Sequence, residues 1–294
     1  MKGAPAGPCE LRVRLGLLPL TFADEFDALS LYDARTRRGR WKTSFAHGPQ
    51  RGAMAWDSRT LKGNHERQIY VDPAFPGSGF MPLGLNPFAV SQGILSIKAE
   101  PTTPKAKDQL WRFGYASGLL TSQPSFSQRY GYFELRAKLP RGKGLWPAFW
   151  LLPSRGGWPP ELDVLEQTGG DVVLQTAHFA KGGGPAEVGH KTTVEGATTA
   201  FHTYGALWTA QRIIWFIDGE QTAAAPTPPD MHGTMYLLLN LAVGGSFAGD
   251  PDPTTPWPAH FEIDYVRAYG LAETPDSESP RHAGTLPSGG ADRD

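Results

Sequence analysis

The sequence predicts an all-β fold of two packed antiparallel sheets, and three observations carry that reading. Short runs of alternating apolar and polar residues recur along the chain. Turn-forming clusters separate them, in a chain with 35 Gly and 27 Pro among 294 residues. Helical periodicity is scarce, and no internal repeat or heptad pattern is present.

The elements follow in chain order. Leu15 to Leu20, after Arg12 and Arg14, is a short apolar piece. No small-residue cleavage site follows before Asp24, so it reads as a first strand rather than a leader. Gly93 to Ala99 alternates after a turn. Gly131 to Ala137 alternates cleanly, with Tyr132, Glu134 and Arg136 on one face and Phe133, Leu135 and Ala137 on the other. Lys181 to Ala200 is rich in Gly and Thr and reads as a surface loop. Arg212 to Ile217 runs into Asp218-Gly219, a hairpin turn. Tyr236 to Ala242 and Phe261 to Tyr269 read as two further strands.

The expected organisation is an extension over residues 1–19, one domain over 20–270 and a disordered tail over 271–294. The tail is rich in Ser, Pro, Gly and charge and has too little apolar surface to fold. All-β domains of roughly 200 to 250 residues commonly form one unit.

Charge narrows the function classes. The 28 Lys and Arg balance 29 Asp and Glu, and no basic stripe marks a nucleic-acid surface. No run of about 18 apolar residues suggests a membrane span. Cys9 is the only cysteine, so no disulfide forms within the chain, and it reads as inert.

The segment that carries chemistry is Trp158-Pro159-Pro160-Glu161-Leu162-Asp163-Val164-Leu165-Glu166. Glu161 and Asp163 are two apart and share a strand face. Glu166 is five from Glu161, so a regular strand would turn it to the buried face. One bulged residue between Asp163 and Glu166 restores the parity. The two glutamates are then about four strand steps apart, roughly 13 Å of backbone. Leaning side chains can bring the carboxyls to the ~5–5.5 Å that a double-displacement glycosidase needs. Three close acids repel, so at least one titrates high. Glu166 is the natural proton donor, with Glu161 ionised and Asp163 assisting it.

A solvated acidic face or a calcium site would also account for an isolated Glu-x-Asp pair. The flank Gly144-Leu145-Trp146-Pro147-Ala148-Phe149-Trp150 favours chemistry on sugars, because pyranose rings stack on aromatic faces. Trp208 and Trp215, by contrast, read as core. Asn240 is left open between a buried amide and a cleft contact, and His178 alone would read as structural.

These motifs resemble glycoside hydrolase family 16, the family of laminarinases, lichenases, agarases and carrageenases. Glu161 to Glu166 is similar to its bulged signature, and Gly131 to Pro140 and Gly144 to Trp150 to the strands before it. Thr21 to Phe26, Phe201 to Trp208, Asn240 to Gly245 and Asp264 to Tyr269 extend the likeness over residues 20–270. The resemblance implies a β-sandwich jelly roll with an open substrate cleft on the concave face. It implies a retaining endo-β-glycanase acting on β-1,3 or β-1,4 linkages, with Glu161 as nucleophile, Asp163 assisting and Glu166 as acid/base.

For the substrate it implies Asn64 as a glycone-side contact, Trp146 and Trp150 as a stacking platform, and Trp158 and His178 beside the cleavage point. No cofactor is implied for catalysis. Glu25, the Gly93 carbonyl and Asp264 match positions that hold a structural calcium in relatives. The expected partner is a polysaccharide, with no nucleic acid and no membrane. The protein is expected to act as a monomer, secreted or periplasmic because its substrate is a polymer.

Two departures are visible. Phe247 stands where laminarinases carry Trp, and Gln167-Thr168-Gly169 replaces their usual residues. Gly84 to Phe88, Ser117 to Thr121 and Ser125 to Gly131 resemble instead the exopolysaccharide-trimming endo-β-glycanases of bacteria, such as the rhizobial ones acting on succinoglycan. A catalytically silent binding protein needs the aromatic cleft but not both glutamates; a transglycosylase would share every residue named.

Overall fold

The structure is a computed structural model that describes residues 17–271. The tail over 272–294 and Cys9 lie outside the described residues. The strands, numbered in chain order, are β1 (Leu17–Asp24), β2 (Gln68–Tyr70), β3 (Phe88–Ser91), β4 (Ile94–Pro101), β5 (Tyr115–Ser117) and β6 (Leu119–Thr121). Next come β7 (Gly131–Lys138), β8 (Leu145–Pro153), β9 (Glu161–Gln167), β10 (Val172–Lys181) and β11 (Gly184–Thr193). The last are β12 (His202–Trp208), β13 (Arg212–Ile217), β14 (Glu220–Pro226), β15 (Met235–Val243) and β16 (Ala259–Leu271). Two short helices interrupt them, α1 (Pro104–Gln109) and α2 (Gly245–Ala248). No helix among the described residues is long and apolar enough to cross a membrane.

The strands form two sheets. One has ten strands, in the order β14-β13-β12-β7-β16-β4-β5-β2 with β1 and β3 attached beside β16 and β4. The other has six, in the order β11-β10-β9-β8-β15-β6. Neighbours are antiparallel except β2 and β5. Half of the strand pairings, seven of fourteen, join strands that are not consecutive in sequence, as in a jelly-roll sandwich.

Period-two alternation decides which side chains fill the core. Phe133, Leu135 and Ala137 of β7 pack from one sheet against Leu145, Phe149 and Leu151 of β8 and Leu237, Leu239 and Leu241 of β15 from the other. Trp208 and Trp215 are buried in this layer, as the sequence indicates. The alternate residues of the six-stranded sheet, Trp146, Ala148, Trp150, Tyr236, Leu238 and Asn240, face away from that layer and build the floor of the site.

The stretch read as a surface loop needs correction. Gly184 to Thr193 is the edge strand β11, paired with β10 along its whole length. Its residues are mostly exposed on both faces, so no alternating apolar pattern marks it. Its register comes from β10 through ladder hydrogen bonds, which sequence hydropathy does not report.

Candidate active site

The site is built on β9, which lies between β8 and β10. Opposite β8, Trp150 pairs with Asp163 and Phe149 with Leu165, so β9 holds one residue more than its partner there. The same excess appears against β10, where Leu174 pairs with Glu166 and Thr176 with Asp163. This is the expected bulge, and it lies between Asp163 and Glu166. Leu162, Val164 and Leu165 go into the core, while the three acids turn to the outer face.

A bulge frees backbone carbonyls that must find other partners. Two buried side chains supply them. Trp215 Nε1, from the opposite sheet, donates to the Asp163 carbonyl at 3.0 Å. Gln175 Nε2 of β10 donates to the Val164 carbonyl at 3.0 Å. Gln175 is itself fixed by Thr222, whose hydroxyl donates to its Oε1 at 2.6 Å.

Each glutamate carries an indole N–H. Trp146 Nε1 donates to Glu166 Oε1 at 2.9 Å, and Trp158 Nε1 donates to Glu161 Oε2 at 3.2 Å. His178, on β10, closes the cluster. Its Nε2 lies 3.2 Å from Asp163 Oδ2 and 3.8 Å from Glu161 Oε1, and its Nδ1 lies 3.4 Å from Glu187 Oε2. Ligand-type atoms of Glu161, Asp163 and His178 all lie within 4.8 Å of one another.

Burial pushes all three carboxyls above the ordinary carboxylate range. For Glu161 the Asp163 charge adds to burial, while His178 opposes it. For Asp163 burial is followed by the charges of Glu166 and Glu187. Glu166 is pushed up to about 6 by burial, with the Trp146 hydrogen bond and His178 pulling it down. Where the sequence reading expected at least one of the acids to titrate high, burial raises all three. Three acids desolvated together share their protons as a cluster.

The substrate residues divide. Trp146 is half-buried, with its ring centroid 4.8 Å from that of Phe247, so these two rings lie together beside Glu166. Trp158 is 54% exposed and borders the acids beside His178, with ring centroids 6.0 Å apart. Trp150 is corrected from an open stacking platform to a buried part of the floor. It is buried against Phe45, Tyr70 and Tyr236, and its Nε1 donates to Asn240 Oδ1 at 2.7 Å. Asn240 Nδ2 in turn donates to the Tyr70 hydroxyl at 3.0 Å. Asn240 is thus a buried amide that fixes a cleft tryptophan, a role joining both earlier alternatives. Asn64 Nδ2 donates to Glu66 Oε1 at 3.2 Å and so stands next to a buried acid.

Sequence reasoning missed Glu66, Gln68, Tyr70, Gln175 and Glu187. Glu66, Gln68 and Tyr70 alternate along one stretch, a signal that was available. Glu187 sits on the exposed β11 and leaves no such signal.

The three positions expected to hold calcium carry other partners. Glu25 accepts two hydrogen bonds from Arg267, both 2.8 Å, and Asp264 pairs with Arg136. The Glu25 backbone carbonyl comes near Gly93. With each carboxylate held by a guanidinium, this arrangement does not fit a calcium held by the two side chains.

A two-sheet sandwich with paired glutamates and indoles on an outer sheet face has the architecture of a polysaccharide-cleaving glycoside hydrolase. The chain belongs to glycosyl hydrolases family 16, whose family model matches residues 88–267. It is 42% identical over 257 residues to endo-1,3-1,4-beta-glycanase ExsH of Rhizobium meliloti (strain 1021), covering 87% of this chain and 52% of that protein. Identity to endo-1,3-1,4-beta-glycanase EglC of the same organism is 41% over 268 residues, covering 90% and 55%. The chain thus spans about half the length of these curated relatives. The laminarinase from Rhodothermus marinus superimposes with a TM-score of 0.67 at 31% identity, covering 86% of this chain and 98% of that one.

Proposed function

We propose that the protein is a retaining endo-β-glycanase acting on β-1,3 and/or β-1,4 linkages of a glucan or bacterial exopolysaccharide. One observation carries the reading: the β9 bulge turns Glu161, Asp163 and Glu166 to one face, with an indole N–H on each glutamate.

In this mechanism Glu161 attacks the anomeric carbon while Glu166 gives its proton to the departing glycosidic oxygen. The C–O bond to the leaving sugar breaks, and an ester to Glu161 forms. Water then attacks the same carbon, Glu166 takes its proton, and the Glu161 carboxylate is released. Asp163 and His178 spread the charge that moves on and off Glu161. The names of the rhizobial and Rhodothermus relatives support glucan linkages of this type.

A polymer substrate places the work outside the cytoplasm, in the periplasm or medium, and the protein acts as a monomer. Reducing-end release from laminarin, mixed-linkage β-glucan and acidic exopolysaccharides tests the reading. Release from at least one of them, made of oligosaccharides, is expected. No release from any would remove the proposal.

A further inference from the structure

Glu161, Asp163 and His178 converge as ligands as well as charges. His178 Nε2 lies 3.2 Å from Asp163 Oδ2 and 3.8 Å from Glu161 Oε1. One ligand atom from each of the three residues lies within 4.8 Å of the other two. Two ligands held at about 2.0–2.2 Å by a tetrahedral ion stand roughly 3.3–3.6 Å apart. The two measured spacings fall on either side of that range, so an ion fits between the three atoms with small side-chain shifts.

The neighbours aim these atoms at one point. Trp158 Nε1 donates to Glu161 Oε2 at 3.2 Å, and Oε1 is the oxygen left facing His178. Asp163 is buried, with 2% exposure, and among the described residues its Oδ2 has no hydrogen-bond partner although His178 Nε2 is beside it. A buried carboxylate oxygen without a donor is uncommon, and a cation would satisfy it. Across the imidazole, Glu187 Oε2 lies 3.4 Å from Nδ1. A carboxylate there favours the proton on Nδ1 and leaves the Nε2 lone pair for a metal, the usual way a ligating histidine is oriented.

The donor set selects the ion. One imidazole nitrogen and two carboxylates suit zinc, with water in the fourth position. Calcium takes six to eight oxygens and gains little from an imidazole. Two carboxylates also balance the charge of a divalent ion. The side chains of Glu161 and His178 keep 17% and 20% exposure, which gives an ion a way in from the cleft.

We propose that Glu161, Asp163 and His178, oriented by Glu187, form a binding site for one zinc ion, and that zinc and the polysaccharide exclude each other there. The exclusion rests on the glycanase reading, because an ion on Glu161 Oε1 occupies the nucleophile and its carboxylate can no longer attack the anomeric carbon. The binding itself does not rest on that reading.

Equilibrium dialysis of the full chain against zinc chloride, with calcium in excess, tests the site. One bound zinc is expected that His178→Ala removes. Glu187→Gln, which keeps the shape of the side chain, should weaken its binding about tenfold to a hundredfold. Both variants are checked for a native circular dichroism spectrum. On a cleaved polysaccharide, zinc should raise the apparent KM at unchanged kcat, and a chelator should reverse the effect. No bound zinc, or undiminished binding by a natively folded His178→Ala and by Glu187→Gln, would overturn the site. Zinc bound as expected with unchanged kinetics would overturn the exclusion. Zinc bound as expected by a protein that, free of zinc, cleaves no polysaccharide would instead overturn the glycanase reading and leave the site standing.

Discussion

At the scale of single residues, the two glutamates stand out because each accepts an indole N–H while facing the outer side of the six-stranded sheet. Replacing Glu161 or Glu166 with Ala should lower kcat by about a hundredfold to ten-thousandfold or more, the usual reach of a positioned acid, base or nucleophile. The circular dichroism spectrum should stay native, because both side chains face outward from the core. Asp163→Asn should cost less, since it touches Glu161 only through shared charge. Near-normal activity of Glu161→Ala on a cleaved polysaccharide would remove its assignment.

Asn240→Ala is expected to destabilise the protein by about 1–3 kcal/mol, because it orphans the buried Trp150 indole and takes one of two partners from the Tyr70 hydroxyl. Urea unfolding measures that loss. The acids themselves were legible in the sequence, because one bulged residue brings their spacing onto one face and the aromatic flank beside them suits sugar chemistry. Trp150 was not. It shares a face with Trp146, and alternation treats the two alike. Phe45 and Tyr70, 105 and 80 residues away in sequence, cover one ring and leave the other open.

At the scale of elements, the bulge in β9 governs the site, and its two freed carbonyls explain why it is stable. Gln175 and Trp215 reach them from a neighbouring strand and from the opposite sheet. Gln175→Ala should therefore lower both stability and activity, with a stability loss of about 1–3 kcal/mol. The telling readout is kcat, measured well below the melting temperature. A loss in stability with unchanged kcat would show that Gln175 supports the core without shaping the bulge.

The sequence revealed the need for one extra residue, but not the partners that hold it. Gln175 lies on a strand whose pattern is simply apolar and polar. Only the register of β10 against β9 places its amide under Val164. The edge strand β11 was hidden for a related reason. Its exposed Gly and Thr residues carry no periodicity, and pairing with β10 alone makes it a strand.

For the whole molecule, the buried acids tie stability to pH. Burial pushes Glu66 up to about 6, above the ordinary 4.5, with hydrogen bonds from Gln68, Leu61 and Asn64 opposing it. Folding therefore favours its protonated form. Its stabilising contribution is full below about 4.5 and is lost as pH rises through about 6, a change of about 2 kcal/mol. Glu161, Asp163 and Glu166 shift in the same direction, so the melting temperature should fall from mildly acidic to neutral pH. Glu66→Gln should flatten part of that slope. A melting temperature that rises over the same interval would contradict the burial of these groups.

The sandwich class followed from alternating strands and frequent turns, whereas the order of strands within each sheet depends on pairings between distant segments that no local pattern encodes. In the proposed mechanism this whole arrangement lets Glu161 and Glu166 act on a single bond by double displacement. Proton NMR of the anomeric region, taken in the first minutes of hydrolysis of a cleaved β-glucan, tests it most directly. The account predicts that the β-anomer appears first and the α-anomer only later, by mutarotation. Release of the α-anomer first would contradict it.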